Sequence, residues 1–183
     1  MSKTLPLRKF YNAELTTERM ENLSLNLNDT DRVWVYQCPR ELSQEEEKEI
    51  LEKGAYFISH WAAHGEKLYG NISIQHHHFI IFNLDQRMAA ASGCSLDVKI
   101  RWVADLGKSL GMNLLDRMQI AWLDPSGKIR ISSTEEFQTL ADTNQISPET
   151  RVFNNLVSNG AELKQQWLLP AGKSWHSRFF KKA

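Results

Sequence analysis

The stretch His77-His-Phe-Ile-Ile-Phe-Asn-Leu84 decides the fold, because its residue types are those of a buried strand. Its centre, Phe79 to Phe82, is aromatic or β-branched throughout. A continuous apolar run of this length is typical of a strand that is covered on both faces. We therefore place it in the middle of a sheet. Lys67 to Gln75, which comes just before it, predicts another strand.

A strand and a helix are predicted upstream of this pair. Arg32-Val-Trp-Val-Tyr-Gln37 is β-branched and aromatic, and Cys38-Pro39 ends it because proline cannot extend a ladder. Ser43-Gln-Glu-Glu46 is a capping box, in which the serine and the glutamate each bond the other's backbone N–H. Small or apolar residues follow at helical spacing up to Gly65: Ile50, Gly54, Phe57, Ile58 and Trp61.

A second helix and a further strand are predicted downstream. Ala89-Ala-Ala-Ser-Gly-Cys-Ser-Leu-Asp97 indicates a loop that enters a helix, with Ser95 as the N-cap and Asp97 in the first turn. Gly111 ends this helix, and Met118 to Leu123 is the strand. The apolar face of the helix consists of Leu96, Ile100, Val103 and Leu110.

The order strand, helix, strand, strand, helix, strand predicts an α+β protein with a ferredoxin-like split β-α-β core. We expect this core to span residues 31–124, after a flexible or loosely packed N-terminal arm over 1–30. Residues 125–183 form a C-terminal extension that packs on the core. It begins with a hairpin around Asp124-Pro-Ser-Gly127, and a second capping box, Ser133-Thr-Glu-Glu136, starts a short helix.

Composition excludes several classes of function. The 183 residues include 22 Lys and Arg and 22 Asp and Glu, so no net charge draws the chain to nucleic acid or to an anionic membrane. No apolar run approaches ~20 residues, so no membrane insertion is expected, and the predicted location is cytoplasmic. Cys38 and Cys94 match no metal or redox spacing and are expected to be free thiols.

Cys94 is the candidate catalytic residue, because unpaired amides at the start of a helix would stabilise its thiolate. This position favours a thiol-dependent enzyme or a redox sensor. The alternative is that Cys94 is simply a small apolar residue beside a helix start. A catalytic thiol would need a histidine partner, and the candidates are His60, His64, His76, His77, His78 and His176.

The run His76-His-His78 raises the alternative of a metal-binding protein. In a strand His76 and His78 would share one face, and a third ligand could come from His60 or His64. The alternative is a solvated strand end or turn. No Asp, Glu or Cys pattern accompanies the histidines, so we expect no metal or other cofactor.

Two Gly-Lys-Ser triplets, Gly107-Lys-Ser109 and Gly172-Lys-Ser174, do not form a phosphate-binding loop. Such a loop needs a glycine five residues before the triplet, where this chain has Trp102 and Trp167. We therefore expect no ATPase activity through either triplet.

The tail suggests a binding function. Trp167, Trp175, His176 and Arg178 could line a groove for a small ligand or a protein, or the tryptophans could clamp the tail onto the core. In the absence of catalytic signatures, a non-catalytic binding or interaction protein is the leading interpretation. An exposed sheet edge could also support a homodimer.

Two resemblances extend these expectations. Val-Trp-Val-Tyr-Gln from Val33, Gly-Cys-Ser-Leu-Asp from Gly93 and Ser-Trp-His-Ser-Arg-Phe from Ser174 resemble a family of short, uncharacterised bacterial proteins. Some members carry the label "ABC transporter ATPase", although this chain has no Leu-Ser-Gly-Gly-Gln signature. Ile120 to Trp167 is similar to GYF-like interaction modules, which implies a small subdomain that binds proline-rich segments. The Gly-Tyr-Phe element of those modules is absent here.

Overall fold

A computed structural model of the protein describes residues 27–180 and shows an α+β architecture. The predicted arm over 1–30 lies almost entirely outside the described residues. These residues form four α-helices and three antiparallel sheets. The elements are β1 (Arg32–Gln37), α1 (Gln44–His60), β2 (Ala62–Ala63), β3 (Glu66–Lys67), β4 (Gly70–Gln75), β5 (Phe79–Leu84), α2 (Gly93–Ser109), β6 (Gln119–Leu123), β7 (Ile129–Ser133), α3 (Thr134–Asp142), β8 (Arg151–Phe153), α4 (Gly160–Gln166) and β9 (Leu168–Pro170). Two 3-10 helices follow, Ala171–Lys173 and Trp175–Phe179.

The apolar strand β5 lies at the centre of the first sheet, whose strand order is β1-β5-β4. Both of its neighbours run antiparallel to it, so that Phe82 pairs with Trp34 on one side and with Ile72 on the other. All six residues of β5 are buried. The continuous apolar run of β5 is explained by its position, because the sheet is covered on both faces as predicted.

The ferredoxin-like split β-α-β arrangement is not confirmed. The strand expected to complete the core sheet, β6, belongs instead to a second sheet with the order β7-β6-β8-β9. Strand β6 pairs with β7 through the turn at Asp124–Gly127 and with β8 on its other side, so neither of its edges joins the first sheet. In this turn the N–H of Gly127 donates to the carbonyl oxygen of Asp124 at 2.8 Å. The chain thus changes sheet between Ser109 and Gln119, before residue 124.

Alternating side chains divide the interior into three apolar clusters. The helix-side cluster joins α1 and α2 to one face of the first sheet, for example through Phe82. The inter-sheet cluster lies between the two sheets and contains Val33, Ile81 and Trp167. The outer cluster lies between the second sheet and α3 with the 3-10 helices, and it includes Phe137. Successive residues of β5 and β6 therefore face different clusters.

Helix α1 begins at the predicted capping box. The Ser43 Oγ accepts a hydrogen bond from the backbone N–H of Glu46 at 3.2 Å, and the Glu46 carboxylate accepts one from the N–H of Ser43 at 2.9 Å. The helix packs closely on β4, because a Cβ at Gly54 would lie 2.8 Å from Ile72 Cδ1. A Cβ at this position would therefore force the end of the Ile72 side chain to move.

The predicted strand from Lys67 to Gln75 is divided in two. Glu66–Lys67 pairs with Ala62–Ala63 in a small hairpin, and only Gly70–Gln75 joins the first sheet. Between them Leu68 is buried, and its N–H donates to the carbonyl oxygen of Trp61 at 2.9 Å.

The tail is more regular than expected, since it contains β8, α4 and β9.

None of the helices within residues 27–180 has the combined length and apolar character needed to cross a membrane.

Candidate ligand-binding site

The helix that carries Cys94 begins earlier than predicted. The N-cap of α2 is Ser92, whose Oγ accepts a hydrogen bond from the N–H of Ser95 at 3.2 Å. Cys94 is therefore the second residue of the helix, where it is exposed as a free thiol. Ser95 is wrong as the N-cap because it is buried inside the helix, where its carbonyl oxygen accepts the indole N–H of Trp61 at 3.0 Å.

Two of the histidines considered as partners of Cys94 bond other side chains. The Nδ1 of His77 lies 2.7 Å from the Oε1 of Glu47, and the Nδ1 of His176 lies 2.7 Å from the Oγ of Ser174. These contacts add nothing in favour of an activated thiol. The reactivity of Cys94 stays a prediction.

His76 and His77 form the turn between β4 and β5 instead of lying in a strand. Both have a positive φ, 52° and 56°, and the N–H of His78 donates to the carbonyl oxygen of Gln75 at 3.1 Å. The alternation that would place His76 and His78 on one strand face therefore does not apply, and that expectation is wrong. Among residues 27–180, no group of three or more His, Cys, Asp or Glu side chains could hold a metal ion.

Trp167 is part of the inter-sheet cluster and is fully buried. Its ring lies 5.1 Å from that of Phe79 and 5.2 Å from that of Phe153, measured between centroids. Its indole N–H donates to the Oδ1 of Asn155 at 3.0 Å. Trp167 thus anchors the tail in the core, and neither its ring nor its N–H lines an open groove.

Trp175, His176 and Arg178 lie together on the last 3-10 helix. The rings of Trp175 and His176 are stacked with centroids 3.8 Å apart, and the guanidinium of exposed Arg178 lies 4.9 Å from the Trp175 ring. His176 is fully buried, whereas Trp175 is half-buried. Both of these rings border a cavity.

This cavity, of about 280 Å³, lies between the edge of the first sheet and the chain that leaves the second. Strand β1 is an edge strand, and the segment after β8 reaches it where the N–H of Val33 donates to the carbonyl oxygen of Ser158 at 2.9 Å. We call this space the inter-sheet cavity. Its walls are residues 32–37 of β1, residues 114–117 and 119, residues 153 and 155–158, and Trp175 with His176.

A chain of hydrogen bonds orients the amide of Gln37 in the cavity wall. The indole N–H of Trp167 can only donate, so the Asn155 atom that it meets is the carbonyl oxygen Oδ1. The amide nitrogen of Asn155 then donates to the Oε1 of Gln37 at 2.9 Å. This leaves the NH2 group of Gln37, a residue only 8% exposed, without a hydrogen-bond partner in the described chain.

His176, another lining residue of the cavity, carries an acceptor that is unpartnered in the described chain. The Ser174 hydroxyl donates to the carbonyl oxygen of Ala171 at 3.2 Å, so the Nδ1–H of His176 donates to Ser174 Oγ. Burial, together with the charge of Arg178, lowers the pKa of His176 to about 4. The ring is consequently neutral near pH 7, and its Nε2 is an acceptor. Neither this Nε2 nor the indole Nε1 of Trp175 has a hydrogen-bond partner among residues 27–180.

Positive charge collects around β1. Arg32 and Arg117 line the cavity, and neither forms an ion pair with a residue of the described chain. Behind them lies Lys99, which is 1% exposed and whose Nζ is 3.5 Å from the centroid of the Trp34 ring. Burial, followed by repulsion from Arg32 and Arg117, lowers the pKa of Lys99 to about 7.

A larger, open groove of about 1540 Å³ lies elsewhere, against the β6–β7 hairpin and the histidine turn. Several of its polar side chains have partners within the described residues. The Asp124 carboxylate accepts bonds from Ser126 and Arg130, and these hold the pKa of Asp124 well below its usual range. The indole N–H of Trp122 donates to Ser132 Oγ at 3.1 Å. The inter-sheet cavity is therefore the better candidate site.

Compared with known proteins, the chain matches no family model, no curated protein and no solved structure.

Sequence reasoning placed Trp175 and His176 beside each other but missed the other side of the cavity. Gln37 could have been noticed, because alternation along β1 puts it on the same face as the apolar Val33 and Val35. Asn155 carries no comparable signal. Lys99 falls on the apolar face of α2, where a lone lysine is unusual.

Proposed function

We propose that this protein binds a small planar ligand in the inter-sheet cavity. One observation carries the proposal: Gln37 Nε2, Trp175 Nε1 and His176 Nε2 belong to residues that line one cavity, and no hydrogen-bond partner for them exists within residues 27–180. Leaving a buried polar atom unpaired costs about 1–3 kcal/mol, and such atoms are rare in folded proteins. A ligand that supplies the missing partners would remove this cost.

The chemistry of the three atoms describes the ligand. Gln37 and Trp175 offer N–H donors, so the ligand has an acceptor such as a carbonyl or carboxylate oxygen. His176 offers a lone pair, so the ligand also has a hydroxyl or N–H donor. The lining includes the aromatic residues Tyr36 and Phe153, and aromatic walls favour a planar ring. The volume suits a ligand of roughly ten to fifteen non-hydrogen atoms.

This proposal is tested by titrating the full-length, ¹⁵N-labelled protein with four probes that have these features: 4-hydroxyphenylacetate, 4-hydroxyphenylacetamide, indole-3-acetate and indole-3-acetamide. We expect at least one probe to shift the indole N–H signal of Trp175 and the amide signals of Gln37 in a saturable manner. The indole signal of Trp122 reports on the larger groove and should not move. If none of the four shifts the Trp175 and Gln37 signals at millimolar concentration, the proposal is wrong.

Two matched variants locate the binding. W175F removes the unpartnered N–H but keeps an aromatic ring, and it should weaken binding of the responsive probe by about tenfold, the effect of one hydrogen bond. W122F makes the same change where the N–H bonds Ser132, outside the cavity, and should leave the affinity unchanged. A larger loss with W122F than with W175F would move the site to the groove.

A further inference from the structure

The residues that line the inter-sheet cavity include positive charges without an ion-pair partner and N–H donors without an acceptor in the described chain. Arg32 and Arg117 line the cavity, while the carboxylate of Asp116, the acidic residue of the lining, accepts the N–H of Met118 at 2.8 Å. None of the ion pairs within 4.0 Å in the described chain includes Arg32, Arg117 or Asp116. Gln37 and Trp175 add N–H donors without partners.

A third basic side chain, that of Lys99, lies near the same aromatic ring as Arg32. The Nζ of Lys99 and the guanidinium carbon of Arg32 lie 3.5 Å and 4.9 Å from the centroid of the same Trp34 ring. The other rings near the Lys99 amine are those of Tyr36 and Phe82, at 5.5 and 6.0 Å, and neither supplies a negative charge near neutral pH. Lys99 forms no ion pair within 4.0 Å in the described chain, so no carboxylate there offsets its repulsion from Arg32 and Arg117 when it is protonated.

We infer that the ligand of the inter-sheet cavity is an aromatic carboxylate, whose negative charge Arg32 and Arg117 neutralise. This inference rests on the proposed function. Guanidinium groups bind carboxylates through charge-assisted hydrogen bonds, which are about twice as strong as neutral ones. A carboxylate oxygen can also accept from Gln37 or Trp175. An amine would instead add a positive charge beside Arg32 and Arg117, and His176 Nε2 is the one acceptor among the three side-chain atoms of the lining residues that are unpartnered in the described chain.

The test compares three probes of the same shape and different charge on the full-length protein: 4-hydroxyphenylacetate, 4-hydroxyphenylacetamide and tyramine. Affinities are read from the Trp175 indole signal. We expect the carboxylate to bind about tenfold more tightly than the amide, tyramine to bind most weakly, and the preference for the carboxylate to fall as salt increases. Equal affinity for carboxylate and amide, or a preference for tyramine, would overturn this inference and leave the proposed function intact.

Variants assign the charge preference to residues. R32Q with R117Q should reduce the preference for carboxylate over amide to near unity, with little change in amide binding. R130Q is the matched control, because Arg130 is paired with Asp124 at 2.7 Å in the larger groove, and it should keep the full preference. A preference that survives in the double variant would show that Arg32 and Arg117 do not bind the ligand. If no probe binds the unmodified protein, it is the proposed function that fails.

Discussion

Trp167 and Trp175 lie in the same C-terminal tail, but their indole N–H groups have different environments. Trp167 is enclosed by rings of the inter-sheet cluster, and its N–H is paired with Asn155. Trp175 is half-buried beside a cavity, and its N–H has no partner in the described chain. The first arrangement is that of a packed core, in which every polar group is bonded. The second is the arrangement that the proposed binding site requires.

The difference teaches that a count of tryptophans says little about function. Clamping the tail and lining a groove were alternatives for both residues. The structure places Trp167 in the core, whereas Trp175 borders the cavity and also packs against the outer cluster. Substitutions that act on one region and not on the other can therefore test whether the two are energetically distinct.

The largest effect is expected for W167A. Removing this fully buried ring leaves a cavity in the inter-sheet cluster, and such substitutions typically cost about 3–5 kcal/mol in the free energy of unfolding. Urea denaturation measures this cost. A loss below ~1 kcal/mol would show that Trp167 does not hold the tail, and the comparison with Trp175 would fail.

The second prediction concerns Lys99 on the other face of β1. Between pH 7 and 10.5 the unfolded chain holds the Lys99 proton and the folded chain does not, so the stability of the unmodified protein rises with pH in this window. K99M lacks this contribution. It should be more stable than the unmodified protein at pH 7, by a margin that shrinks by up to about 1.4 kcal/mol per pH unit towards pH 10.5.

K99R is the control for this prediction, since an arginine retains its charge throughout and should destabilise the protein over the whole window. A margin between K99M and the unmodified protein that is independent of pH would mean that Lys99 is charged in the folded state.

His176 affects stability at acid pH, below the window in which Lys99 acts. As the pH falls from 6.5 towards 4, the unfolded chain binds a proton on His176 while the folded chain does not, so folding weakens by up to about 1.4 kcal/mol per pH unit. In H176Q this part of the acid sensitivity should be absent. Urea unfolding of both proteins across the window measures the two slopes. Identical slopes would place His176 in contact with solvent and contradict its role as a neutral acceptor.

The smallest effect is expected for W175F. Its removed N–H had no partner in the described chain, so the free energy of unfolding should change by less than about 1 kcal/mol. W167F makes the same change where the N–H bonds Asn155, and it should cost about 1–3 kcal/mol because a half-buried acceptor loses its donor. Equal losses in thermal or urea unfolding would remove the distinction between the two regions.

Much of the secondary structure could be predicted, because its causes are local. Both capping boxes start helices at the serines expected, and the Asp124–Gly127 turn joins the expected hairpin. Local patterns failed where several residues could serve equally well. Ser92 and Ser95 are both suitable N-caps, and the burial of Ser95 decided between them.

The candidate site was predictable only in part. Trp175 and His176 are neighbours in the chain, so their proximity could be predicted without knowledge of the fold. Gln37 reaches the same cavity only because the segment after β8 crosses to β1 and places Asn155 beside it. Contacts across such distances in sequence leave no periodic signal in one chain.

The amino-acid sequence by itself determined the α+β class, the buried central strand and the starts of the two helices with capping boxes, because propensity, capping and alternation act over a few residues. Only the tertiary structure decided which sheet β6 joins, which tryptophan is core and which polar atoms of the residues that line the cavity are left without a partner in the described chain. Those outcomes depend on competition between distant surfaces for burial and for hydrogen bonds, which is resolved when the whole chain packs.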